Sequence, residues 1–249
     1  MAIAPILAMT AAEIRNISIL PGKIAWMACH FSPYGTGLSN LPKELPPGSV
    51  LIVDDITPPH RHDPVFIAKQ LTQCVETLQC SAILLDFQRS GCEKTQTIAK
   101  HLVSSLPCPV VVSEFYAGDQ SCPVFLSPVP PSTALETHIL PWESREIWLE
   151  ICLEGEILTL TENGCETTPF PYPDPDAAGF TEEKLHCHYK IETNEKSARF
   201  TLWRTKEDME NLLEEVETVG ISGVVGLYQE WNKYAPLQSL PCVKGGGQP

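Results

Sequence analysis

Between Ser49 and Phe115 short apolar runs alternate with longer amphipathic ones, and this alternation limits the fold more than any other feature. Ser49 to Ile56 (SVLIVDDI), Ser81 to Leu85 (SAILL) and Pro109 to Phe115 (PVVVSEF) have the length and β-branched content of buried strands. The first intervening stretch opens on Asp63-Pro64, an N-cap followed by Pro at the first helical position. Val65, Ala68, Leu71, Val75 and Leu78 then recur at helical spacing. The second intervening stretch opens on Ser90 to Glu93, read as a capping box, with Ile98, Leu102 and Leu106 turned inward. Strands alternating with helices of this length imply a parallel sheet with right-handed crossovers. A closed barrel and a doubly wound open sheet both satisfy that much.

Parallel sheets keep their chemistry at the carboxyl ends of strands, where loops and solvent begin. The run Ser81 to Leu85 ends in Asp86-Phe87-Gln88, and alternation puts Asp86 and Gln88 on one side. The strand before it ends in Asp54-Asp55, and the one after it carries Glu114 near its end. Paired acids at such positions are candidate catalytic or binding groups, and equally candidate caps of the next element. His60 and His62 follow the Asp pair and are read as solvated loop residues in preference to metal ligands. Lys23 to Phe31 (KIAWMACHF) is a further strand running into a Gly/Pro-rich loop, where His30 and Tyr34 could meet a ligand.

The second half is less regular. Val124 to Ser127 is a short strand in a Pro-rich stretch, and Thr133 to Leu140 a short helix. Glu146 to Glu154 and Glu156 to Thr161 read as two strands around Gly155, extending into a hairpin. Leu185 to Glu192 and Arg199 to Trp203 form a second β pair about an Asn194-Glu195-Lys196 turn. Pro169 to Asp176 is an extended, rigid loop. Thr205 caps the last long helix, with Met209, Leu212, Leu213, Val216 and Val219 inward and Gly220 ending it. Gly223 to Tyr228 is the closing strand, followed by Gln229-Glu230-Trp231.

The stretch Ser81 to Gln88 resembles the signature strand of family 18 glycoside hydrolases (chitinases and relatives), which runs D-G-I-D-L-D-F-E. Ile83, Leu85 and Phe87 match its apolar positions and Asp86 its third Asp. Ser81 and Leu84 stand at the first two Asp positions, and Gln88 at that of the catalytic Glu. Trp203 to Tyr228 is similar to the closing helix and strand of bacterial family 18 enzymes, whose substrate-platform Trp falls on Leu227 or Tyr228 here. In order of elements the resemblance covers residues 49–231. It implies an α/β fold, a TIM-like parallel barrel with β-hairpin extensions in the second half. Seven strands are read directly: 24–31, 50–56, 81–87, 109–115, 123–127, 146–152 and 223–228. The missing one is the first, supplied by Met1 to Leu20 or replaced by Leu185 to Glu192.

The resemblance also implies a mechanism in which one Glu protonates the leaving oxygen while the substrate acetamide acts as nucleophile. Gln88 has no proton to give, yet it keeps the shape and hydrogen-bonding capacity of Glu. The acetamide-holding Met-x-Tyr-Asp strand of the family has its counterpart in Val124-Phe125-Leu126-Ser127, which lacks both polar residues. The leading expectation is a catalytically inactive, glycoside-hydrolase-like barrel binding an oligosaccharide at its carboxyl-end face. Asp86, Gln88, Glu114, Tyr228 and Trp231 would line it, with His30 and Tyr34 as further ligand contacts. The alternatives are an active glycoside hydrolase with carboxylates relocated among Asp54, Asp55, Asp86 and Glu114, and a non-catalytic interaction protein.

Composition narrows the partners. Net charge is −14, and residues 131–249 hold 9 basic against 21 acidic side chains, which repels phosphate backbones. No apolar run approaches the roughly 20 residues needed to cross a bilayer, and Met1 to Ala12 lacks the basic start of a signal peptide. Nucleic acid and membrane are therefore not expected as partners. The ten cysteines show neither C-x-x-C spacing nor a matched His pair, so they read as free thiols of a cytoplasmic protein with no metal or other cofactor. Residues 1–241 are expected to form one domain and 242–249 a flexible tail.

Overall fold

The computed structural model describes residues 4–17, 23–171, 174 and 177–234. The chain begins with β1 (Ile6–Met9) and α1 (Ala11–Asn16), then β2 (Ile24–Phe31), which turns back on the two-residue β3 (Leu38–Ser39). The alternating stretch becomes β4 (Val50–Asp54), α2 (Pro64–Leu78), β5 (Ala82–Asp86), α3 (Glu93–Ser105), β6 (Val110–Ser113) and the one-turn α4 (Glu114–Ala117). β7 (Val124–Leu126), α5 (Leu135–Ile139) and β8 (Ile147–Ile151) follow. Next come five antiparallel strands: β9 (Gly155–Thr161), β10 (Gly164–Phe170), β11 (Phe180–Glu182), β12 (Cys187–Thr193) and β13 (Ser197–Trp203). The chain then returns through α6 (Lys206–Thr218), β14 (Gly223–Leu227) and α7 (Tyr228–Tyr234).

Eight parallel strands close into a barrel in the order β1, β2, β4, β5, β6, β7, β8, β14, and β14 pairs back onto β1. The fold is thus a TIM-like α/β barrel with an antiparallel sheet of hairpins inserted between β8 and α6. All seven strands read from sequence are present. The eighth is β1, inside residues 1–20, whereas Leu185 to Glu192 goes into β12 of the antiparallel sheet. Residues 242–249 lie outside the described residues, as does most of the stretch 171–176.

Side-chain alternation sorts each strand into two layers. Ala8, Ala25, Val50, Ile52, Ala82, Leu84, Val111, Phe125 and Val225 fill the barrel interior. Their neighbours Leu51, Val53, Ile83, Leu85, Val110, Val112, Leu149 and Val224 face outward into the layer of helices. The small interior residues leave room for Trp148, which packs so closely on Gly223 that an added Cβ there would lie 2.5 Å from the indole.

Several element ends differ from the sequence reading. Ser90 does not cap α3: Gly91 turns the chain at φ +79°, and the helix starts after Cys92, which makes no side-chain cap bond. Val65 is 63% exposed because it lies in the first turn of α2, before the stripe Ile67, Ala68, Leu71 meets the sheet. Glu114 and Phe115 leave β6 to form α4, and Tyr228 leaves β14 to begin α7. By contrast Asp63 caps Val65 N–H at 3.1 Å, and Thr205 forms a reciprocal capping box with Asp208.

The antiparallel sheet is tied down by polar contacts. Arg204, 4% exposed at the end of β13, donates to the carbonyls of Val129 (2.6 Å), Pro130 (3.3 Å) and His186 (3.2 Å). His186 and His188 reach α6 through Glu215 (2.6 Å) and Asp208 (2.7 Å). The nine cysteines among the described residues are free thiols, five of them buried. No helix among the described residues is long and apolar enough to cross a membrane.

Candidate functional site

The carboxyl ends of the barrel strands surround a cavity of about 290 Å³. Its floor is the top of the barrel interior, including Ile52, Leu84, Phe125 and Val225, and its polar groups are Asp54, Asp55, Asp86, Gln88, Arg89 and Glu150. Alternation places the principal acids. Asp54 lies two residues beyond the inward Ile52, Asp86 two beyond Leu84, and Glu150 two beyond Trp148. Asp54 and Asp86 are register partners on adjacent strands. Glu150 stands on β8, four strands around the ring from β4 and so on the opposite wall.

Crowding three acids at a largely apolar mouth penalises their charged forms. Burial, then the Asp86 and Glu230 charges, pushes Glu150 up to about 7. Burial also raises Asp86, with Asp54 and Asp55 adding repulsion, while a hydrogen bond from Gln88 pulls the other way. Asp54 is raised by burial and by Asp55, opposed by the Ile56 N–H and by nearby His30. With Glu150 near 7, the cavity holds a carboxyl that exchanges its proton around neutral pH, a property useful for acid–base chemistry.

Gln88 lines the cavity and donates its side-chain amide to Asp86 Oδ1 at 2.5 Å. Asp55 sits just behind. Only 2% exposed, it accepts the backbone N–H groups of Gln88 (2.9 Å) and Arg89 (3.2 Å) and so fixes the loop after β5. It borders the cavity but its oxygens are committed to the backbone.

The remaining sequence candidates do not line the cavity. Glu114 accepts from Ser127 N–H (3.1 Å) and Ser127 Oγ (2.6 Å), tying α4 to the end of β7. His30 is the register partner of Asp54 and bonds the Ala28 carbonyl at 3.2 Å. Tyr34 is 99% exposed in the loop after β2. Tyr228 and Trp231 turn onto the outer face of the barrel against Leu7, Met9 and Ile24, because α7 begins where a strand-end loop was expected. Trp231 lies against Gly226, where an added Cβ would collide with the indole nitrogen. Leu227, the alternative platform position, does line the cavity. His62 is buried and not solvated: it bonds the Gly37 carbonyl at 3.1 Å and packs on Phe31. Glu150 and Arg89 are the charged lining residues that the sequence reading does not single out. In the case of Glu150 the signal was a lone acid inside the apolar run Ile147 to Ile151.

Among the described residues no three His, Cys, Asp or Glu groups are placed to hold one metal ion. The Pro-rich stretch 128–142 contributes nothing to the lining, so the cavity is not plugged by those loops.

No protein-family model and no curated protein sequence matches the chain. Among the solved structures that share its fold are two enzymes. The spore cortex-lytic enzyme SleL of Bacillus cereus superposes with a TM-score of 0.57 at 12% identity, over 89% of this chain and 70% of that one. A chitinase from Chromobacterium violaceum superposes with a TM-score of 0.51 at 10% identity, over 90% of this chain and 94% of that one. At such identities the likeness is one of fold: the chain has a TIM-like barrel of the kind seen in these two structures.

Proposed function

We propose that the barrel mouth binds a carbohydrate and does not catalyse acetamide-assisted hydrolysis. The observation that carries this reading is the Gln88–Asp86 pair. Where family 18 enzymes carry a proton-donating Glu beside an Asp, this chain has an amide hydrogen-bonded to that Asp. An amide keeps the polar shape of the site but supplies no proton at any ordinary pH. The cavity around it has an apolar floor and a polar rim, the usual make-up of a small-ligand site, and its volume suits about one sugar ring. The barrel fold shared with a chitinase and a cortex-lytic enzyme is in keeping with this.

A screen of chitooligosaccharides and a wider glycan panel, run on the wild type and on Gln88→Glu, tests the proposal. Binding without hydrolysis by the wild type, with turnover appearing in Gln88→Glu, is the expected result. No binding by either protein would refute it.

One observation favours a second reading. Glu150 is held protonated up to about 7 and interacts with Asp86 across the mouth. A neutral acid facing an ionised one is the pairing that ordinary glycosidases use. In that case Glu150 would be the acid of a relocated pair with Asp86 or Asp54. Wild-type cleavage of an aryl glycoside at pH 5–7 that disappears in Glu150→Gln would establish it in place of the first.

A further inference from the structure

On the footing that the mouth takes carbohydrate, we infer that its ligand carries a free amine: a glucosamine-type sugar in preference to an N-acetylated or neutral one. The charge inventory of the cavity points there. Four carboxyls, Asp54, Asp55, Asp86 and Glu150, line it against one basic side chain, Arg89. No Lys or Arg forms a salt bridge with any of the four among the described residues. Asp55 is occupied by two backbone N–H groups, whereas Asp54 and Asp86 each accept one hydrogen bond, from Ile56 N–H and the Gln88 amide, and neither they nor Glu150 has a Lys or Arg ion-pair partner among the described residues.

Their arrangement separates the possible cations. Asp54 and Asp86 stand side by side on β4 and β5, and Glu150 on the facing wall. They ring an opening and do not converge on one point, and no metal-holding group of three forms among the described residues. A bare metal ion needs convergent oxygens at about 2.0–2.6 Å. An ammonium carried on a ring instead needs one close carboxylate, hydroxyl partners for the others, and an apolar surface beneath its C–H groups. Leu84, Ile52 and Phe125 provide that surface.

The opposite chemistry is thinly supplied: the lining donors are Arg89 and the Gln88 amide, which already donates to Asp86. An acetamide needs a donor for its carbonyl and a fitted pocket for its methyl group. Leu126 and Ser127 occupy the positions at which the resemblance places the acetamide-holding residues; Leu126 packs in the outer layer, and Ser127 Oγ is already committed to Glu114 at 2.6 Å. The burial and mutual repulsion that raise Asp54, Asp86 and Glu150 are relieved by a bound cation, so amine binding should release a proton.

The test is calorimetric titration of the full chain at pH 6.5 with the glucosamine trimer, its N-acetylated counterpart and spermidine. It is repeated at 50 and 300 mM salt, in two buffers of different ionisation enthalpy. The amino sugar should bind at least about tenfold tighter than the acetylated one, weaken at the higher salt and release protons. Asp86→Asn and Glu150→Gln, each checked for folding by circular dichroism, should each lose about tenfold for the amine and little for the acetylated sugar. Tighter binding of the acetylated trimer would overturn the inference while leaving the carbohydrate reading intact. Binding of spermidine alone, or of none of the three, would overturn both.

Discussion

Asp54 and Asp86 end adjacent parallel strands as register partners, so two carboxyl side chains share one wall of the barrel mouth, and among the described residues neither forms an ion pair with Lys or Arg. Glu150 on the facing wall completes a set of acids whose protonated forms are favoured by burial. Four expectations follow from this arrangement and from the contacts that support it.

Stability should fall as pH rises through the range in which these acids ionise. Glu150 has a folded value of about 7 against 4.5 in the unfolded chain. Between those values the unfolded state binds fewer protons, so unfolding becomes easier with increasing pH. Asp54 and Asp86, raised above 3.8, act in the same direction. Glu150→Gln should remove on the order of 3 kcal/mol of the loss between pH 4.5 and 7.5. Urea midpoints measured across that range check this; equal slopes for wild type and variant would contradict it.

Asp55 should matter to the loop after β5 and not to ligand charge. Asp55→Ala leaves the backbone N–H groups of Gln88 and Arg89 without their acceptor. The cost should be about 1–3 kcal/mol. Amide hydrogen exchange should speed up over residues 87–91 ahead of the rest of the barrel.

Gly226 admits the indole of Trp231 to the outer face of β14. Gly226→Ala should displace that ring and destabilise the protein by about 1–3 kcal/mol. Combining it with Trp231→Ala should recover less than the sum of the two single losses, because both act on one contact. Tryptophan emission and thermal melts of the three variants measure this.

Arg204 joins β13 to the Pro-rich segment after β7. Arg204→Met keeps most of the stem's packing but leaves buried carbonyls, including that of Val129, without their donor. A loss of about 2–4 kcal/mol is expected, read from the shift in denaturation midpoint. Limited proteolysis should then cut residues 128–134 first.

Much of the barrel was legible because its strands are short, apolar and bounded by helix caps such as Asp63 and Thr205. Asp54, Asp86 and Gln88 were legible because a buried strand shows its polar residues where it ends. Glu150 is less legible because it is an acid inside a strand and not beyond its end. The outward residues Ile147, Leu149 and Ile151 nevertheless fix Trp148 and Glu150 as inward. Tyr228 and Trp231 read as ligand contacts at the strand end, since nothing local reveals that a helix starts at Tyr228. Their placement depends on the bare Cα of Gly226, a tertiary contact. Glu114 stands apart from the cavity for a similar reason, because its partner Ser127 is 13 residues away, just past the end of β7.

The most direct test of the central claim, that the barrel mouth is a carbohydrate site, is chemical-shift mapping during titration with glucosamine and N-acetylglucosamine trimers. Shifts confined to the residues of the mouth, Asp54, Asp86, Gln88 and Glu150 with the floor methyls of Leu84 and Ile52, are the expected result. Saturable shifts elsewhere on the molecule, or none with either sugar, would contradict it.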